Sequence, residues 1–107
     1  MKLGFIGCGN MASAMMKGII SNGIVAADEI IGADVFAPSL EKAKDSLGIQ
    51  IAKSNQEVVE KSEVFVLSVK PQYYEAVIGE IKDFVSEDQL IITLAPGKTL
   101  AWLEEQF

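Results

Sequence analysis

The chain has 107 residues, with 9 Lys and Arg against 15 Asp and Glu for a net charge of −6, one cysteine and no histidine. That length suits a single domain with its own core, and a field of that sign repels nucleic acid and anionic lipid. A lone cysteine without histidine excludes an internal disulfide, the usual zinc ligand sets and a histidine base, so no metal site is expected and cytoplasmic residence is the natural reading.

Half of the residues are hydrophobic and only 7% aromatic, so the core must be aliphatic, and disordered or collagen-like classes are excluded. The opening MKLGFIGCGNMASAMMKGIIS is apolar, but four glycines and a Gly-Asn pair interrupt it. It offers neither the continuous apolar core of a signal peptide nor a run of about 20 apolar residues that spans a bilayer.

Lys2 to Gly7 is a short apolar run turning sharply into glycines, the mark of a strand buried on both faces. Met11 to Ser21 places Met11, Ala14, Met15, Gly18 and Ile19 at helical spacing, and Asn22-Gly23 closes the helix. Glu29 to Phe36 reads as a second strand, followed by Pro38-Ser39 and a charged helix over Leu40 to Leu47 that ends at Gly48. Ile49 to Ala52 is a brief third strand. Ser54 and Glu57 then form a capping box at the start of the next helix. Val64 to Val69 is the fourth strand and the most hydrophobic segment, and Tyr73 to Phe84 is an amphipathic helix with Tyr74, Val77, Ile78, Ile81 and Val85 on its inner face. Leu90 to Ala95 makes a fifth strand, and Thr99 to Phe107 begins one more helix with Leu100 and Leu103 inward. Strands alternating with helices, joined by connections too long for hairpins, predict one α/β domain over residues 1–107, a doubly wound parallel sheet of Rossmann type. Function is then expected in the loops at the carboxyl ends of the strands.

Gly7-Cys8-Gly9-Asn10-Met11-Ala12 fits G-x-G-x-x-A. The pattern gains force from its context: it follows a buried strand, opens a helix, and is followed by Asp34 at the end of the second strand. Gly7 permits the tight turn, Gly9 lets backbone approach a diphosphate, and Ala12 allows the helix to pack closely on the sheet. The helix start then presents unpaired amides to an anion, which an acidic chain needs in place of a basic patch. Asp34 has two readings, an acceptor for the adenosine ribose hydroxyls or a cap on its own loop. Cys8, without a histidine to activate it, reads as a small residue lining the turn rather than a nucleophile. Met11, Met15 and Met16 read as packing in the core and beside the cofactor, and Tyr73 and Tyr74 as packing aromatics.

Three segments, Gly4-Phe5-Ile6-Gly7-Cys8-Gly9-Asn10-Met11, Ser68-Val69-Lys70-Pro71 and Ala95-Pro96-Gly97-Lys98-Thr99-Leu100, together resemble the N-terminal domain of pyrroline-5-carboxylate reductase in order and spacing. That family reduces 1-pyrroline-5-carboxylate to proline with hydride from NADPH or NADH. The resemblance implies that Ile6, Gly7, Cys8, Gly9, Asn10 and Met11 wrap the diphosphate and that Asp34 lies beside the adenosine ribose. It also implies that Asn55 reaches the ribose or its phosphate; Ser39 and Lys42 lie close enough in sequence to that edge to hydrogen-bond or neutralise a phosphate. Ser68, Val69, Lys70 and Pro71 would line the nicotinamide side, and Ala95 and Gly97 would border nicotinamide and substrate.

Two departures from that family stand out. Pro96 replaces a usual alanine and removes one backbone amide. The Arg-x-Met-Pro-Asn-Thr-Pro loop and the helical C-terminal domain that dimerises and completes the substrate site are missing from these 107 residues. The expectation is therefore the cofactor-binding half of a reductase, inactive by itself, with NADP or NAD as its ligand and 1-pyrroline-5-carboxylate as substrate of the longer protein. Leu100, Trp102, Leu103 and Phe107 would form a sticky end through which copies associate. No catalytic residue is assigned, because Lys70 reads as a solvated cation near the cofactor phosphates. The alternatives are a stand-alone module that binds or senses a dinucleotide without catalysis, and a non-binding interaction domain, which would not be expected to keep its glycines.

Overall fold

The computed structural model describes residues 2–93. Five parallel strands, β1 (Leu3–Ile6), β2 (Ile30–Ala33), β3 (Gln50–Ile51), β4 (Val64–Leu67) and β5 (Leu90–Thr93), form one sheet in the order β3-β2-β1-β4-β5. The helices α1 (Asn10–Ser21), α2 (Ala37–Leu47), α3 (Asn55–Lys61) and α4 (Tyr74–Ile81) make the crossovers. The chain winds from β1 to β3 in one direction and returns to the far side of β1 for β4. A crevice therefore opens above the carboxyl ends of β1 and β4, where doubly wound sheets bind ligands. Ala95, Pro96, Gly97 and the expected Thr99–Phe107 helix lie outside the described residues.

All four residues of β1 are buried because helices cover both faces of the sheet. Leu3 and Phe5 join Met16, Ala12, Ile30, Ala43 and Val66 in the layer under α1 and α2. Ile6 joins Phe65, Leu67, Val58, Tyr74, Val77, Ile78 and Ile81 in the layer under α3 and α4. Burying one such aliphatic side chain is worth about 1.5–3 kcal/mol. The Tyr74 ring is fully buried, and its hydroxyl donates to Leu67 O at 2.9 Å. The outer strands are less covered: β3 is exposed along its length, and Leu90 and Ile92 stand open on β5.

The element order follows the sequence reading, and the bounds and faces differ in instructive ways. Strand β2 stops at Ala33 rather than Phe36, and β4 at Leu67 rather than Val69, because both chains leave the sheet to build the crevice. Pro38 sits inside the first turn of α2, where its missing N–H costs nothing, so the helix begins at Ala37 and not Leu40. The inner face of α1 carries Ala12 and Met16, with Met15, Ile19 and Ile20 beside them, while Met11, Ala14 and Gly18 face solvent. Close approach of the helix start to the sheet favours the small Ala12 there. The amphipathic run after β4 is α4 flanked by 3₁₀ turns at Pro71–Tyr73 and Lys82–Phe84 rather than one long helix.

Local caps behave as their chemistry requires. Ser54 Oγ accepts the Glu57 N–H at 3.2 Å, but the Glu57 carboxylate reaches one residue further back, accepting the Lys53 N–H at 2.7 Å. That amide, followed by Lys61 at 3.0 Å, holds the Glu57 carboxyl below its ordinary range. Gly48 ends α2 in the left-handed region with φ +76°, its N–H returning to Lys44 O.

In the turn after β1, Gly7 is the position that requires glycine. Its φ is +99°, and a Cβ there would lie 2.8 Å from the backbone of Ser68. Gly9 has φ −73° and open space where a Cβ would go. Replacing Gly7 by Ala is expected to cost at least about 2 kcal/mol in urea unfolding, whereas Gly9→Ala stays within about 1 kcal/mol of wild type. Equal losses at the two positions would contradict this assignment.

Candidate functional site

The loop leaving β1 is fastened from both sides. Toward β2, the Gly7 N–H donates to Ala33 O at 2.8 Å, and the Cys8 N–H donates to Asp34 Oδ2 at 2.7 Å. Asp34 Oδ1 also accepts the Phe36 N–H at 2.8 Å, so one carboxylate shapes two loops. Toward β4, Ser68 donates its N–H to Ile6 O at 2.9 Å, and its hydroxyl lies 2.6 Å from Gly7 O and 3.2 Å from Ile6 O. The amides of residues 7 and 8 are thereby consumed. Those at the start of α1 are not, because the first four N–H groups of a helix have no partner within it and Gly9, at the N-cap, brings no side chain. Gly9, Asn10 and Met11 are exposed there, and the helix dipole adds a partial positive charge.

Two cavities open at the carboxyl ends of the strands and share Asp34 and Val35, and one of them reaches Gly9 at this helix start. One, of about 480 Å³, runs over the ends of β1 and β4 between Gly7, Gly9, Phe36, Ser39, Ser68, Val69, Lys70 and Tyr73. The other, of about 490 Å³, lies over β2 and β3, floored by Ala33 and Ala52 and edged by Asn55 and Glu80. Both volumes fall in the range of small-molecule sites, about 300–1,000 Å³. Lys70 is exposed at the first cavity with no ion-pair partner among the described residues. In the second, Asn55 Nδ2 donates to Glu80 Oε2 at 2.8 Å.

Most of the sequence-derived site residues that the structure describes converge here, with changes of role. Gly7, Gly9, Asp34, Asn55, Ser68, Val69 and Lys70 line the two cavities, and Asn10 and Met11 form the open helix start. Pro71 opens the 3₁₀ turn that follows. Ile6 is buried and turns its side chain into the core, and the Cys8 N–H, expected to face a diphosphate, is held by Asp34 instead. Asp34 does cap its own loop, and the lone pairs left on each oxygen remain available at the crevice. Lys42 stands away from this edge, one helical turn beyond Ser39, in the groove between α1 and α2. Val35, Phe36, Gln56 and Glu80 were not anticipated, and nothing in their residue type or spacing marks them. Ala95 and Gly97 lie outside the described residues.

Cys8 is 1% exposed, its Sγ 3.6 Å from Ala33 O and set where a Cβ on Gly32 would meet it at 2.7 Å. Burial first, and the Asp34 charge second, push its thiol from 9.0 up to about 12. It fills the space under the turn and carries no chemistry.

An open parallel sheet of this order, with a glycine turn and a bare helix start at the point where the strand order reverses, defines a Rossmann-type α/β domain of the dinucleotide-binding class. Residues 2–97 match the family model described as NADP oxidoreductase, coenzyme F420-dependent, and the chain belongs to that family. It is 38% identical over 104 residues to the pyrroline-5-carboxylate reductase of Methanosarcina acetivorans, an alignment covering 97% of this chain and 38% of that protein. It superposes on the pyrroline-5-carboxylate reductase of Coxiella burnetii with a TM-score of 0.91 at 33% identity, over 98% of this chain and 39% of that one. The Plasmodium falciparum pyrroline carboxylate reductase, solved with NADP bound, gives 0.84 at 28% identity over 98% and 37%. The chain thus spans well under half the length of the relatives it matches.

The Cys8 environment sets a direct expectation. At about pH 9.0, where the unfolded thiol is half ionised, iodoacetamide should leave native Cys8 unmodified and alkylate it readily in urea. The unfolded thiol ionises near 9.0 and the folded one near 12, so its contribution to stability is whole below pH 9.0 and declines as pH rises from there. Native alkylation as fast as that of a free thiol would refute this burial.

Proposed function

We propose that this chain is the cofactor-binding part of a reductase that transfers hydride from NAD(P)H to the imine carbon of 1-pyrroline-5-carboxylate, giving proline. The observation that carries the reading is the bare start of α1, open at Gly9 onto one cavity that shares Asp34 and Val35 with a second cavity of similar size. A dinucleotide has that layout, a diphosphate between two nucleoside halves. The likeness to pyrroline-5-carboxylate reductases supports the substrate.

The residues present fit the group. The Gly9, Asn10 and Met11 amides would hold the diphosphate, and the absent Cβ at Gly9 leaves the approach clear. Asp34 lies at the end of β2, where this fold places the adenosine ribose, while Ser68, Val69 and Lys70 border the other half. When bound, the reduced nicotinamide supplies the hydride. The protein orients it and fixes the surrounding charge. Lys70 adds a positive charge beside the phosphates in a chain of net charge −6.

Calorimetric titration with NADH and NADPH tests the binding. Wild type is expected to bind, and Gly9→Val to lose affinity by more than about 100-fold while keeping its urea midpoint, since the added side chain occupies the diphosphate path. Undiminished affinity in a folded Gly9→Val chain would place the anion elsewhere.

Preference between the two cofactors turns on Asp34. Its carboxylate opposes a ribose 2′-phosphate by like charge, so NADH is expected to bind at least as tightly as NADPH. Asp34→Ser is expected to move the ratio of the two dissociation constants about tenfold toward NADPH. An unmoved ratio would reduce Asp34 to its bonds with Cys8 and Phe36.

A further inference from the structure

Glu80, at the carboxyl end of α4, lines the cavity over β2 and β3. Its Oε2 accepts the Asn55 amide at 2.8 Å, and no further hydrogen bond or ion pair reaches this carboxylate among the described residues. Among the described residues Oε1 receives no donor, in a side chain tethered through its other oxygen. The floor beneath is apolar, built by the buried Ala33 and Ala52 with Val35 beside them. An aliphatic floor under a fixed acceptor suits a flat heteroaromatic ring with a donor on its edge.

On the dinucleotide reading the two cavities take the two halves of the ligand. In this fold the ribose beside the end of β2 belongs to adenosine, so the adenine ring falls on the β2–β3 side. Adenine carries an amino group at position 6, an N–H donor. Of the two carboxylates lining this cavity, Asp34 already spends one hydrogen bond at each oxygen on the Cys8 and Phe36 amides, whereas Glu80 has an oxygen with none. We propose that Glu80 is a specificity residue of this cavity, its Oε1 accepting the 6-amino group of adenine while Asn55 holds the carboxylate in place. This rests on the dinucleotide reading above.

The test compares NADH with its purine analogue, which carries hydrogen in place of the 6-amino group, by calorimetric titration of the 107-residue chain and of Glu80→Ala. Glu80 is exposed on a helix, where Ala is well tolerated, and the readout is the ratio of two affinities within each protein, independent of overall binding strength. Wild type is expected to favour NADH about tenfold, the worth of one hydrogen bond to a charged acceptor, and Glu80→Ala to bind both about equally. Parity in wild type, or a tenfold preference that survives in Glu80→Ala, would overturn the role of Glu80 while leaving dinucleotide binding intact. Failure of wild type to bind either compound would overturn the dinucleotide reading and this inference with it.

Discussion

Asp34 and Ser68 grip the glycine turn from opposite sides, and the geometry of the crevice depends on that grip. Asp34 binds the Cys8 amide from the β2 side, and Ser68 binds the Ile6 and Gly7 carbonyls from the β4 side. Between them Gly7 takes a backbone conformation that side chains rarely adopt, pressed against the Ser68 backbone. These short bonds consume the amides of residues 7 and 8 and leave those that open α1 at the crevice.

This arrangement answers a difficulty posed by charge. A net charge of −6 sets an overall field that repels a diphosphate. Backbone amides and a helix dipole are fixed in orientation and are independent of the net charge, so they attract an anion locally where the overall field would repel it. Asp34 is compatible with such a site because two backbone N–H groups already stabilise its charge. Each of its oxygens keeps a lone pair beyond those two bonds, so the residue that shapes the loop also presents a negative charge at the crevice.

Several details show where local sequence stops being informative. The spacing in α1 is compatible with an inner face at Met11, Ala14 and Gly18 or one rotated toward Ala12 and Met16, and the distance between helix and sheet selects the second. Ser54 is recognisable as a cap because its hydroxyl acts within one turn, yet the partner of Glu57 shifts by one residue under the path of the chain before it. Ser39 and Lys42 are near neighbours in sequence, but Ser39 lies at the start of α2 and lines the crevice, whereas Lys42, further along the helix, lines the groove between α1 and α2.

The alternation of apolar runs and amphipathic helices, the glycine turn and the Ser54 cap are local properties. They determined the α/β class, the parallel winding and the position of the glycine turn without any knowledge of what touches what. Contacts between residues far apart in the chain were decided by tertiary structure alone. Asp34 to Cys8, Ser68 to Gly7 and Asn55 to Glu80 span 26, 61 and 25 residues, and each depends on strand order and helix length rather than on residue type. Glu80 illustrates the point: as one more acid on the polar side of an amphipathic helix it is unremarked in the sequence, and it becomes part of a cavity only because α4 packs beside α3 over the end of the sheet.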